Sequence, residues 1–186
     1  MTQSFRRALA GVLFATFGAV ACEDATSRDA IVIKSTGLFD EPVRLVPRTA
    51  LAEYVEVPSH KNELIISLAS DDVPCGRFVA ADADSTRVIV SIVTPPGPTP
   101  AVGRYEATSL GESAPRGIVT TLRHGPKSRV LPPGGYVELR RVDLSRGGRV
   151  EGILELEFAG TAEVPPASVR GRFEARLCRL GRRSAP

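Results

Sequence analysis

Along most of the chain, apolar and polar side chains alternate with a period of two, the repeat of a strand whose faces meet different surroundings. In residues 63–69, Leu64, Ile66 and Leu68 share one face while Ile65 and Ser67 share the other. The same pattern predicts strands over 30–34, 51–57, 87–93, 103–108, 117–123 and 136–143. Turn formers separate them, notably residues 70–76 (SDDVPCG) and the runs Pro95-Pro96-Gly97-Pro98 and Pro132-Pro133-Gly134-Gly135. Proline stops a strand because it cannot donate to the ladder.

The strongest signal lies near the carboxyl end. Val150, Gly152, Leu154, Leu156 and Phe158 alternate with Glu151, Ile153, Glu155 and Glu157. The returning segment places Val169, Gly171, Phe173, Ala175 and Leu177 on one face and Arg170, Arg172, Glu174 and Arg176 on the other. One strand is acidic outside and the next basic, so charge pairing favours their being neighbours. Cys178 then falls on the outward parity, unless the strand ends or bulges at Leu177. No helical period appears after residue 21. The expected fold is all-β: a single antiparallel β-sandwich or barrel of roughly eight to eleven short strands.

The first residues break this pattern. Arg6 and Arg7 precede a run from Ala8 to Ala21 with no charge, and acidic, polar sequence follows at once. That is a charged region followed by an apolar one, as in a signal peptide, and 14 residues fall short of the roughly 20 that span a bilayer. Ala19, Val20 and Ala21 form the small-x-small site of ordinary signal peptidase and also precede Cys22. The segment Gly18-Ala19-Val20-Ala21-Cys22 resembles the lipobox of bacterial lipoproteins, whose cysteine is acylated before cleavage; Ala19 departs from it, since a larger aliphatic residue is usual there. Both peptidases would cut the same bond, so acylation and ordinary cleavage both stay open.

Cysteine count bears on the choice. Three cysteines leave an odd thiol in an oxidising compartment, and acylation of Cys22 leaves Cys75 and Cys178 to pair. A bridge enclosing about 100 residues adds up to about 4.7 kcal/mol in the chain-entropy picture. The expected organisation is a signal peptide at 1–21, a lipidated N-terminus and tether at 22–29, a β-domain at 30–179 and a basic tail at 180–186. Extended, Glu23 to Asp29 reach roughly 23 Å.

Charge excludes one class of partner. Without Arg6 and Arg7 the chain holds 22 basic and 21 acidic residues, a net +1, so its basic pI gives no reason to expect nucleic-acid binding. Motifs exclude others. His60 and His124 sit in turns and share no metal spacing. Gly111-Glu112-Ser113-Ala114-Pro115 lacks the second glycine of a nucleophile elbow. Asp71-Asp72 and Asp82-Ala83-Asp84 have the look of hydrated turns rather than a calcium site. Glu151, Glu155 and Glu157 are what a solvated strand face presents. No catalytic residue, metal or cofactor is expected.

Together the lipobox cysteine, ELIISLASDDVPCG, the GRYEA strand and the ending GGRVEGILELEFAG…VRGRFEARLC resemble a group of myxobacterial lipoproteins, over about two thirds of the mature chain. A terminal G-x-F-x-A-x-x-C with an earlier cysteine recurs in that group; it implies the Cys75–Cys178 bridge and carries no assigned activity. The expectation is an envelope protein anchored to membrane lipid through acylated Cys22, with a non-enzymatic β-domain binding a protein or glycan partner. The alternatives are an envelope hydrolase acting on glycans and a structural or assembly lipoprotein.

Overall fold

A computed structural model describes residues 30–57, 61–75, 85–97, 99–107, 117–131, 134–161 and 165–182. The signal segment, Cys22, His60, Asp82, Asp84 and residues 111–115 lie outside them. The described chain forms eleven strands and is all-β, as its alternation requires: β1 Ile31–Ser35, β2 Val43–Leu45, β3 Thr49–Val57, β4 Lys61–Ala69, β5 Thr86–Thr94, β6 Gly103–Glu106, β7 Gly117–His124, β8 Lys127–Leu131, β9 Gly135–Val142, β10 Arg149–Phe158 and β11 Ala167–Arg182. They join in one sheet of order β6-β9-β10-β11-β3-β4-β5-β7-β8, with β1 on β11 and β2 on β1.

Every pairing is antiparallel except β11 with β3, which is parallel. That exception organises the rest. Along one edge β11 pairs with β10 from Ala167 to Arg176. Along the other it pairs with β1 over Ala167–Arg170 and with β3 from Arg176 to Arg182. The strand thus continues three residues beyond the expected domain end at 179.

Burial follows the period-two reading. In β10 the inward set is Val150, Gly152, Leu154, Leu156 and Phe158; in β11 it is Val169, Phe173, Ala175 and Leu177. They join Ile31 and Ile33, Ala52 and Tyr54, Leu64, Ile66 and Leu68, Val88, Val90 and Ile92, and Val137 and Leu139 in one hydrophobic cluster. Strands from both arms of the sheet share that cluster, so the sheet curls around it as a half-barrel. The two ends of the curl are drawn back. β6 comes against β7, and Arg129 on β8 donates to Ser35 Oγ at 3.1 Å, to the Thr36 carbonyl at 3.2 Å and to the Pro165 carbonyl. A guanidinium can bridge three acceptors at once because its donors form a rigid fork.

Two short strands, β2 and β8, were not expected. Three residues of β2 are too few to show a period. β8 follows a two-residue turn in which Gly125 adopts φ 54°, the conformation the first position of a II′ hairpin needs. From sequence alone, His124-Gly125-Pro126 marks only the end of a strand.

Tyr54 is an oddity within the core. It is 1% exposed and its hydroxyl has no hydrogen-bond partner among the described residues. Burial pushes its pKa up, and the Glu56 carboxylate adds to the shift. The folded chain therefore holds this proton more tightly than the unfolded chain does. Stability is untouched below about pH 10 and declines as pH rises past it through the folded-state value. We expect Tyr54→Phe to leave neutral-pH stability unchanged or raised within about 1 kcal/mol, and to shrink the alkaline loss. Urea unfolding at neutral pH and above about pH 10 checks both; an unchanged alkaline slope in the variant would refute the assignment.

Candidate functional site

Three features stand out from the regular sheet: a pinned loop at one rim, a charged outer face, and a notch beside β11. The loop spans 70–75. Its first residue is stitched to β5, with Ser70 N donating to the Thr86 carbonyl at 3.0 Å and Thr86 N donating to Ser70 Oγ at 2.8 Å. Val73 is buried and donates its backbone N–H to Thr49 Oγ1 at 3.0 Å, fastening the loop to the start of β3. Cys75 then bonds Cys178, with Cα atoms 5.5 Å apart and a separation of 103 positions in sequence.

The bridge reaches β11 at an irregular point. In the β3 ladder Leu177 faces Ala52 and Arg179 faces Glu53, so Cys178 is the extra residue of a bulge. A bulge bends the strand and re-aims a side chain. That resolves the parity conflict: Leu177 stays in the core while Cys178 turns to meet the loop.

Asp71 and Asp72, adjacent in the same loop, face different environments. Asp72 meets Arg48 at 2.9 Å in a pair open to solvent. Asp71 takes a two-pronged contact from Arg87, Nη2 to Oδ2 at 2.6 Å and Nε to Oδ1 at 3.3 Å. Arg87, the second residue of β5, is only 2% exposed. Its Nη1 finds no acceptor among the described residues, and Arg123 stands directly opposite across β5 and β7. With a like charge beside it, this buried guanidinium depends on the Asp71 carboxylate. The sequence signal was slight: one arginine on the outward parity of RVIVSIV. Of the histidines, His124 shares a hydrogen bond of 3.0 Å with Thr86 Oγ1 through Nδ1 and tilts against the Phe39 ring, so it serves packing at the β7–β8 turn.

On the outer face of β9, β10 and β11 charges are largely matched. Arg141 meets Glu151 at 3.2 Å, Arg149 meets Glu174, and Arg170 reaches both Glu155 at 3.6 Å and Glu157 at 2.7 Å. A register shift between Glu151 and Gly152 lets Arg140 and Arg141 both point outward, Arg140 toward Glu138. Glu151, Glu155 and Glu157 are thus held by arginines on an open surface and do not meet in a cleft. Arg172 and Arg176 make no ion pair with a described residue.

The notch follows from how β11 changes neighbours. Leu177 N donates to the Gly148 carbonyl, so in this register Leu177, Ala175 and Phe173 turn their backbone groups toward β10. Arg172 and Glu174 turn theirs the other way, where β1 has stopped at Arg170 and β3 begins only at Arg176. A cleft of about 140 Å³ opens there, lined by Pro47, Ala50, Leu68, Arg172, Phe173 and Glu174. Its floor is apolar and its rim charged.

Among the described residues no group of three or more His, Cys, Asp or Glu is placed to hold a metal ion, and no helix is long and apolar enough to cross a membrane. Fold and rim together define a disulfide-bonded, all-β half-barrel. Compared with known proteins, the chain matches no family model, no curated protein and no solved structure.

The two aspartates separate cleanly by experiment. Asp71→Ala strands a buried guanidinium and is expected to cost about 3–5 kcal/mol, whereas Asp72→Ala removes an exposed pair worth about 0–1 kcal/mol. Denaturant unfolding of the two variants measures the difference, and equal effects would mean that Arg87 does not depend on Asp71. Replacing Cys75 and Cys178 together with serine is expected to lower stability by about 2–5 kcal/mol, read from the shift in the unfolding midpoint under non-reducing conditions.

Proposed function

We propose that this chain is an exported lipoprotein of the bacterial envelope. Residues 1–21 address it, Cys22 receives the lipid, residues 22–29 tether it, and the β-domain acts by binding a protein or glycan partner rather than by catalysis. The observation that carries the reading is the Cys75–Cys178 disulfide. Such a bond persists in the periplasm or outside the cell and is rare in a reducing cytosol. It leaves Cys22 as the third cysteine of the chain, immediately after a small-x-small cleavage site. More than one acyl chain gives stable anchoring where one is marginal, which suits a chain with no long apolar span after its leader.

The binding role draws on the arrangement of the surface. A rigid sheet carries loops at its rim, and loops held by a rigid scaffold are where recognition commonly sits.

Intact mass of the protein extracted from membranes with detergent is the direct test. We expect a chain beginning at Cys22 with diacylglyceryl attached, heavier by about two protons after reduction. Because Ala19-Val20-Ala21 also suits ordinary signal peptidase, Cys22→Ala is expected to be cut at the same bond and to appear in the soluble periplasmic or extracellular fraction. An unmodified native chain in that fraction would overturn the anchor.

A further inference from the structure

The chain joins the β-domain at a chemically distinctive place. Ala30 lies against β11: a Cβ added to Gly171 would stand 2.7 Å from the Ala30 carbonyl oxygen, and Gly171 has φ 154° there. From this point β1 runs with Val32 opposite Arg170 of β11 on one side and opposite Arg44 of β2 on the other. Outward positions then recur every second residue. They are Val32 and Lys34 on β1, Arg44 and Val46 at the end of β2, and Arg170 and Arg172 on β11.

This surface combines exposed apolar side chains with cations. Val32 is 40% and Val46 54% exposed, two of the four large apolar side chains that stand out among the described residues. Around them Lys34, Arg44 and Arg172 are exposed cations. Glu155 and Glu157 are engaged by Arg170. Asp40 and Glu41 belong to the turn at the far end of the β1–β2 hairpin, away from Ala30. Apolar side chains ringed by cations match an anionic lipid interface, where basic residues meet phosphates and small apolar groups enter the headgroup layer.

Distance makes the match effective. Eight residue steps lead from Cys22 to Ala30, a reach of roughly 26–29 Å when fully extended and less otherwise. A domain tethered so closely spends its time near the bilayer, and attraction between exposed charges acts within a Debye length of about 8–10 Å.

We propose that the outer face formed by Val32, Lys34, Arg44, Val46 and Arg172 rests on the anionic bilayer that carries the lipidated Cys22, fixing the orientation of the β-domain. The proposal builds on the lipoprotein reading. It adds a second, reversible contact: the acyl chains hold the protein to the membrane and the patch sets which side faces it.

The chain contains no tryptophan, so a single introduced indole reports unambiguously. We would reconstitute the lipidated protein carrying V46W or V102W into vesicles of phosphatidylcholine and phosphatidylglycerol with brominated acyl chains. Val102 is 64% exposed and precedes β6, on the far side of β11, β10 and β9 from β1. Expected is severalfold stronger quenching for V46W than for V102W, abolished when K34E and R172E are added and reduced by salt. Equal quenching at both positions overturns the proposal. Should intact mass show no lipid, the anchor reading fails on its own, and the patch is judged by sedimentation of the unlipidated chain with the same vesicles. Binding that K34E and R172E remove would sustain the patch; no binding would end it.

Discussion

Strand β11 must satisfy three neighbours within sixteen residues. One edge is committed to β10, while the other serves first β1 and then β3. Two arms of sheet therefore hang from a single strand, and the curl that lets them enclose a common core begins there. The exchange of neighbours is not seamless. Between Arg170 and Arg176 neither β1 nor β3 is in register, which leaves the notch, and at Cys178 the ladder with β3 slips by one residue. Both irregularities follow from the same cause, a strand asked to pair antiparallel and parallel along one edge, since the two ladders space their hydrogen bonds differently.

The rim around Cys178 shows how such an irregular stretch is held. A disulfide fixes the bulge to the loop at 70–75, and that loop is in turn sewn to β5 through Ser70 and to β3 through Val73. Beneath it Arg87 and Asp71 form a pair largely withdrawn from water. A buried ion pair is weak support for stability in itself but strongly penalises loss of one partner. The loop is thus specified from two directions, covalently at Cys75 and electrostatically at Asp71. At the opposite side of the curl Arg129 fastens β8 to the end of β1 and to Pro165. Closure by the hydrogen bonds of Arg129 and the approach of β6 to β7, rather than by a ladder, leaves the barrel half open.

The proposed binding role draws on the surfaces of the sheet. The face of β9, β10 and β11 matches most of its charges internally and is a solvated wall. Arg172, which makes no ion pair with a described residue, and the exposed valines of β1 and β2 lie around the point where Ala30 meets β11. Under the proposed anchoring, the uneven distribution of charge and exposed valine would turn one side of the domain to the membrane and leave another for a partner.

Period-two alternation alone determined the all-β fold, the inward residues of the strands it predicted and the β10–β11 hairpin, because a strand's two faces are written in adjacent residues. Cysteine count likewise anticipated the Cys75–Cys178 bond, and the parity of Phe173, Ala175 and Leu177 already demanded a bulge or a strand end at Cys178. Strand order was not legible: that β11 would take β3 as a parallel neighbour depends on contacts more than a hundred residues apart, which no local pattern encodes. Nor could sequence distinguish Asp71 from Asp72, identical neighbours of which one meets a buried arginine and the other an exposed one. The notch, the closure at Arg129 and the surface around Ala30 are of the same kind. Each is made of residues whose side chains say little until the curl of the sheet brings their strands together, and so only the tertiary structure decided them.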